Sequence, residues 1–404
     1  MHNLTKIKLY RIALKITYIP SLIFVFPFAL LKKKNKGSLF FFLDRYALGG
    51  AQHAYLDILK SVSDADKQIY FTRYSPNKLM QSDFYSIKRS DTRDIHFYCD
   101  YLLIRLFSVH FYAFYLNRHK DCKLLGSNST FFFDMLPFLN RRLSTIEVFH
   151  NFSFNRQGME FFGLANHQYL SHRVCGDFIT ADNIRKQYSE YGVSKNFEER
   201  VQVIEPGVII PEPIEKDFTL PLRVLYAGRG GPQKRVWILN TVVEKTVKNQ
   251  LPINYYFAGT MVEELSAFTK EHSTLMGPLS TQELYAVYQQ TNILILTSAY
   301  EGFPMAIKEA MACGCVPLVT ALDGNKKHLT DHENAILIDE ISDEQKCAEE
   351  AVQHLQQLIE DPALVRDLSK RAYEYAKGHF SRDQFMASYR NLLLGDWGES
   401  QHDN

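Results

Sequence analysis

The sequence predicts an α/β protein built from two doubly wound, Rossmann-like domains that face each other across a cleft. Three observations carry this expectation. Short runs rich in β-branched and aromatic residues alternate with helical stretches, the pattern of a parallel sheet covered on both faces. The alternation stops in a stretch with four prolines at residues 205–221 and then restarts. The chain of 404 residues is also too long for one ordinary core. With 46% hydrophobic and 23% charged residues it has a globular rather than a disordered balance. Its 46 basic and 45 acidic residues nearly cancel, which excludes a general polyanion binder and predicts no nucleic-acid partner.

Residues 1–36 read as a basic-apolar segment. An apolar run from Ile16 to Leu31 is flanked by Lys6, Lys8, Arg11 and Lys15 on one side and by Lys32, Lys33, Lys34 and Lys36 on the other. The run is shorter than the roughly 20 residues of a spanning helix and contains Pro20 and Pro27. Cationic flanks suit a segment lying on anionic lipid head groups, so a membrane surface is the expected partner. An extra helix packed on the domain is the alternative.

The N-terminal domain is expected at 37–204. Its strands read as Leu39–Leu43, Gln68–Tyr74, Ile95–Cys99, Lys123–Gly126, Thr145–Phe149, Asp177–Thr180 and Val201–Ile204, with a helix from Ala51 to about Val62. The stretch Tyr101–Leu116 is apolar on almost every side and predicts a buried helix, with membrane contact as the alternative. The C-terminal domain, 205–380, reads as strands at Arg223–Ala227, Asn254–Ala258, Ile293–Thr297, Val316–Thr320 and Ala335–Ile338. Helices are expected at Gln282–Gln290 and Met305–Ala312. Residues 381–404 hold a last helix, Arg382–Leu394, and a tail. Six scattered cysteines without metal-site or redox spacing predict reduced thiols in a cytosolic setting.

In doubly wound sheets ligands bind beyond the carboxyl ends of the strands, so motifs there carry most weight. The segment Thr297–Pro317 places Glu301 and Gly302 in a turn after a strand and Glu309 on the following helix. Gly302 allows close backbone approach, and the N–H groups of the helix start favour phosphate. Eight residues of helix separate the carboxylates by about 12 Å, too far for an acid pair but suited to gripping two parts of one long ligand. Taken alone, the pair reads as two solvated glutamates. Upstream, Val224–Arg235 is a strand followed by a glycine-rich turn with Gly228, Arg229 and Lys234. Gln233 stands where a dinucleotide fingerprint needs its last glycine. Gly49-Gly50 opens a helix after the first strand, and His150 follows the strand Thr145–Phe149. Asp64-Ala-Asp66 precedes a strand rather than following one, where a ligand could reach it, and reads as a turn; no metal is predicted.

The Glu301–Glu309 segment resembles the E-x7-E signature of the retaining glycosyltransferases of GT-B fold, specifically family 4. The likeness extends to Gly277–Tyr288, to Asp323-Gly-Asn325 and to His332–Ile338, covering roughly 200–390 densely and the N-terminal half loosely. It implies transfer with retention from a nucleoside-diphosphate sugar, without a metal or other cofactor, to a glycan or lipid-linked acceptor of a cell-surface polysaccharide or lipopolysaccharide. The enzyme would sit on the cytosolic face of the membrane. Arg229 and Lys234 would neutralise the diphosphate, and Glu309 would hold the ribose. Glu301, with Gly302, Phe303 and Pro304, would face the donor sugar, and Gly277 and Leu279 would line the base. Gly49 and Gly50 would serve the acceptor side, His150 would face the donor sugar, and the last helix would return to the N-terminal domain. Two positions depart from the pattern: Glu205-Pro206 precedes Gly207 in place of an Asn, and Thr260-Met261 follows Gly259 in place of an acidic-glycine pair. The alternatives are a catalytically silent binding subunit of the same fold and a nucleotide-sugar epimerase.

Overall fold

The computed structural model describes residues 3–34, 39–47, 50–150, 152 and 158–395. It divides into two compact units, residues 1–205 with 386–404 and residues 206–385.

The first unit begins with helix α1 (Asn3–Phe24), separated by one residue from α2 (Phe26–Leu31). Pro27 stands in the first turn of α2, where its missing N–H costs nothing. Strand β1 (Leu39–Leu43) is buried along its whole length, as a central parallel strand requires. Helix α3 (Gly50–Ser61) leads to β2 (Lys67–Phe71), and a short α4 (Gln81–Tyr85) to β3 (Ser90–Asp94). Two helices follow, α5 (His96–Asp100) and α6 (Leu102–Leu116), before β4 (Lys123–Ser127). Then come α7 (Thr130–Met135), β5 (Ser144–Phe149), α8 (Glu160–Asn166), β6 (His172–Cys175), α9 (Phe178–Glu190) and β7 (Val201–Val203). All pairs are parallel, in the order β3-β2-β1-β4-β5-β6-β7. Helices α1 and α6 run in the same direction. Arg105 lies over the Tyr10 ring, His110 bonds the Leu14 carbonyl at 3.0 Å, and Arg118 donates to the carbonyls of Ala29 and Lys32.

The second unit contains β8 (Leu222–Gly228), α10 (Ile238–Lys248), β9 (Ile253–Gly259), α11 (Ala267–Glu271), β10 (Ser273–Gly277), α12 (Thr281–Gln290) and β11 (Ile293–Leu296). It continues with α13 (Met305–Ala312), β12 (Val316–Thr320), α14 (Asp323–Lys326), β13 (Ile336–Ile338), α15 (Glu344–Glu360) and α16 (Pro362–His379). Its parallel sheet has the order β10-β9-β8-β11-β12-β13. Caps fix where the helices start: Ser280 and Glu283 form a reciprocal capping box on α12, and Asp343 and Asp361 cap α15 and α16. Helix α17 (Arg382–Leu394) begins in this unit, and its residues from Met386 onward belong to the first. There Arg390 forks Asp64 at 2.7 Å, and Lys123 donates to the carbonyls of Leu392 and Gly395.

Several sequence expectations are corrected. Ile95–Cys99 is not a strand: β3 lies one step earlier, at Ser90–Asp94, and α5 occupies 96–100. As an edge strand β3 is entirely polar, so it carries no hydrophobic signal. Asp177–Thr180 is not a strand either; Asp177 caps α9 through a 2.7 Å bond from the Thr180 N–H, and the strand is His172–Cys175. Its apparent polarity comes from Arg173, whose charge is met internally by Glu147 at 2.5 Å. The strand β10 was not anticipated. Tyr101–Leu116 divides: Val109–Leu116 is largely buried, but residues 101–104 are exposed.

No helix among the described residues is long and apolar enough to cross a membrane. All six cysteines are free and buried. Burial pushes the thiols of Cys99, Cys122, Cys175 and Cys313 up to about 12 and that of Cys347 up to about 11.

Candidate functional site

The carboxyl edge of the second sheet is shaped first by close backbone approaches. β8 ends at Gly228 and β9 at Gly259, which are register partners. A Cβ on Gly259 would collide with the Gly228 carbonyl, so the approach needs glycine, here with φ of 127°. Beyond Gly228 the chain forms a loop tied down at several points. The Tyr226 hydroxyl donates to the Arg229 carbonyl at 2.6 Å, and the Gly231 N–H donates to the Glu264 carboxylate. Arg235 is buried, and its guanidinium donates to the carbonyls of Thr297 (2.9 Å), Ser298 (3.2 Å) and Ile341 (2.6 Å). The Ala299 N–H donates to the Gln233 carbonyl at 2.8 Å. These bonds fasten the loop after β8 to the segment after β11, the neighbouring strand.

Fastening the two loops brings their functional groups together. Lys234 Nζ pairs with Glu301 Oε1, and Gln233 Nε2 donates to Glu301 Oε2 and to the Tyr300 carbonyl, both at 3.1 Å. Both partners of the ion pair are largely screened from solvent, so the attraction is stronger than that of a surface pair. Arg229 is exposed one residue past the end of β8. Gly302, Phe303 and Pro304 follow Glu301 and lead into α13, with Pro304 immediately before its first turn. A Cβ on Gly324 would collide with the Gly302 carbonyl, so α14 presses against this turn. The Phe303 ring lies tilted against those of His328 and Phe380, with centroids 4.5 Å and 5.3 Å away.

Glu309 lies on α13, partly buried, with the Tyr288 hydroxyl 3.5 Å from Oε2. Burial raises its carboxyl to about 7, opposed only in part by the Tyr288 bond. Neither Glu301 nor Glu309 is therefore a solvated surface carboxylate. Gly277 ends the edge strand β10 with φ of 65°, and Leu279 packs against the core just before α12.

The remaining predicted residues belong to the first unit. His150 follows β5, its ring 5.4 Å from that of Tyr55. Burial lowers its imidazole to about 4, and its Nε2 is buried without a hydrogen-bond partner among the described residues. Gly50 opens α3, and Gly49 lies outside the described residues. Asp64 and Asp66 are engaged by Arg390 and Arg89.

Sequence reasoning missed four residues that shape the site: Gln233, Arg235, Glu264 and Gly324. Gln233 and Arg235 stand inside the motif already singled out, and Gly324 inside Asp323-Gly-Asn325. Glu264 had no signal, because its partner is a backbone N–H 33 residues away in sequence.

Residues 214–377 match the family described as Glycosyl transferases group 1. The chain is similar to N-acetyl-alpha-D-glucosaminyl L-malate synthase of Bacillus anthracis, 28% identical over 102 residues. That likeness takes in 25% of this chain and 26% of the relative, about a quarter of its length. It is 24% identical over 265 residues to an uncharacterized glycosyltransferase of Haemophilus influenzae, across 62% of this chain and 70% of the other. Two solved structures share the fold. Anabaena HepE in complex with UDP has a TM-score of 0.68 at 13% identity, covering 88% of this chain and 99% of that one. The lipopolysaccharide outer core galactosyltransferase WaaB has a TM-score of 0.66 at 17% identity, again over 88% and 99%. These likenesses establish the GT-B fold with its two Rossmann-like domains.

Proposed function

We propose that this chain is a metal-independent, retaining glycosyltransferase. It moves a sugar from a nucleoside-diphosphate sugar to a glycan or lipid-linked acceptor of a cell-surface polysaccharide or lipopolysaccharide. The carrying observation is the set Arg229, Lys234, Gln233 and Glu301, held at the carboxyl edge of one sheet by the buried Arg235. In this reading Glu301 orients Lys234 until the diphosphate arrives. Lys234 and the exposed Arg229 then supply the positive charge that a divalent ion supplies in other sites. Glu309 accepts from the ribose hydroxyls, and Gly277 and Leu279 flank the base. The bond between the anomeric carbon and the departing phosphate oxygen breaks. The acceptor hydroxyl oxygen bonds that carbon on the same face, and its proton passes to the phosphate oxygen. His150, neutral at physiological pH because burial lowers it to about 4, serves the donor sugar as a hydrogen-bonding group rather than a cation. Gly49 and Gly50 serve the acceptor side.

The enzyme works at the cytosolic face of the membrane, held there by residues 1–36. Six buried free thiols suit that reducing compartment.

The test is a thermal-shift panel of UDP, GDP, ADP and CMP with chelator present. UDP is the first choice because a structural neighbour holds UDP-glucose. A ligand at 100 times its dissociation constant stabilises the fold by about 2.7 kcal/mol. Stabilisation that disappears in Arg229→Ala and Glu309→Ala supports the donor site. No shift with any nucleotide, in a folded protein, moves the reading to a silent binding subunit. Retention is read from the anomeric configuration of the first product by NMR.

A further inference from the structure

Helix α1 carries two apolar faces, and only one of them is used inside the protein. Ile7 and Leu14 are buried, and Thr17 and Tyr10 meet α6 on the same side. On the opposite side Leu9, Ile12, Ile16, Ile19 and Ile23 form a row at alternating spacings of three and four residues. Ile16, Ile19 and Ile23 are each more than 65% exposed. Leu22, Phe24, Phe28, Leu30 and Leu31 extend the exposure past the end of the helix. A row of this kind left in water marks a surface with a partner.

A second exposed apolar group stands on the same unit. Phe97, Tyr98, Tyr101, Leu102 and Leu103 occupy α5 and the first turn of α6, with Leu103 74% exposed. Their position follows from the topology: α5 starts two residues after β3 ends, so this corner lies at the carboxyl edge of the first sheet. One turn further along α6, Arg105 lies over the Tyr10 ring, so the corner borders the Leu9 end of the α1 row.

The charge around the surface selects the partner. Residues 1–43 contain no Asp or Glu. Lys6, Lys8 and Lys15 are exposed on α1 itself and Lys33 and Lys34 just past the end of α2, while Asp100 is the one carboxylate on α5. Two copies of this face would repel each other, whereas an anionic bilayer attracts it. We infer that the α1 row and the α5–α6 corner form one membrane-docking surface for an anionic leaflet, with the corner dipping among the acyl chains beside the acceptor side of the first sheet. This deepens the proposed membrane attachment through residues 1–36 and takes the acceptor from the proposed glycosyltransferase reading; the surface itself stands on exposure and charge. Its consequence for substrate class is an acceptor drawn from the bilayer, an amphiphile rather than a free soluble glycan.

The experiment is flotation of the full chain with vesicles of phosphatidylcholine alone and with phosphatidylglycerol added. Three variants accompany it: Ile16→Gln with Ile19→Gln, Leu102→Gln with Leu103→Gln, and Lys8→Gln with Lys15→Gln. The unaltered protein is expected to float with anionic vesicles and to detach as salt rises. Each apolar pair is expected to weaken binding roughly tenfold or more. The lysine pair is expected to weaken binding to vesicles with phosphatidylglycerol while leaving binding to phosphatidylcholine alone unchanged, and a lysine pair that binds both as the unaltered protein does overturns the role of charge. The nucleotide-induced thermal shift should stay unchanged in all three, which shows that they fold. Corner variants that float like the unaltered protein overturn the corner's role. Failure of the unaltered protein to float on anionic vesicles overturns the whole inference while leaving the donor-site reading intact. Concentration-dependent dimerisation abolished by the row variants overturns it in favour of a second copy. A missing nucleotide shift beside normal flotation instead sinks the glycosyltransferase reading alone.

Discussion

Burial holds the Glu309 carboxyl at about 7, against an ordinary value of 4.5. The folded chain therefore binds this proton more tightly than the unfolded chain. Its contribution to stability is present below pH 4.5 and is lost as pH rises through 7. Ligand binding has the opposite sign. A carboxylate that accepts two ribose hydroxyls must be ionised, so nucleotide affinity should rise between pH 6 and 8. The comparison that isolates this is Glu309→Gln, titrated calorimetrically beside the unaltered protein. The variant should lose the part of the pH slope that Glu309 contributes, leaving only the titration of the nucleotide's own phosphate. Lys234 makes a second prediction at this scale. Lys234→Met keeps the aliphatic stem and removes the charge, and it should lower kcat/KM by about 10²–10³ if that charge meets the developing phosphate. A steady-state assay with the nucleotide sugar that passes the thermal-shift panel reads this directly.

Among elements, Gly324 shows how a helix shapes a turn it does not belong to. α14 presses on the Gly302 carbonyl, and Gly324→Ala would push the Glu301–Pro304 turn away from Lys234. The expected outcome is a loss of nucleotide binding with a much smaller loss of stability, measured by calorimetry and urea unfolding on one preparation. In the first sheet β5 and β6 are joined by the buried Glu147–Arg173 pair, with Tyr188 accepting from Arg173 at 3.1 Å. Arg173→Met leaves Glu147 without its partner and should cost about 3–5 kcal/mol in urea unfolding. The same pair explains why β6 was misplaced from sequence: an arginine inside a short segment reads as surface unless its partner is known. The central strands β1, β8, β11 and β12 were legible because burial on both faces writes continuous apolar runs. β3, polar and at the edge, wrote nothing. In the site, spacing alone marked Glu301 and Glu309 as solvated glutamates; it was the resemblance of their segment, and of the one holding Arg229 and Lys234, that singled these residues out, and the structure pairs Lys234 with Glu301. The tether of Arg235 to three carbonyls was not legible, since a backbone acceptor has no side-chain signature.

At the scale of the whole molecule, each unit owns a separate sheet and hydrophobic core. A nucleotide that binds only the second unit stabilises that unit by mass action and leaves the first to unfold as before. Scanning calorimetry should then resolve two transitions, one moving with nucleotide concentration and one fixed. A single transition that moves as a whole would mean that the units unfold cooperatively and would remove this prediction.

The six buried thiols have a practical consequence. A thiolate is the reactive form, and burial raises every one of these thiols, five of them to about 11 or 12, so that behind packed side chains they supply almost none of it near neutrality. The folded protein is thus silent toward maleimides. A cysteine introduced as Leu103→Cys or Ile19→Cys becomes the only labelling position without removal of any native cysteine. An environment-sensitive dye carried there would report, from a single address, whether its surroundings are water or oil.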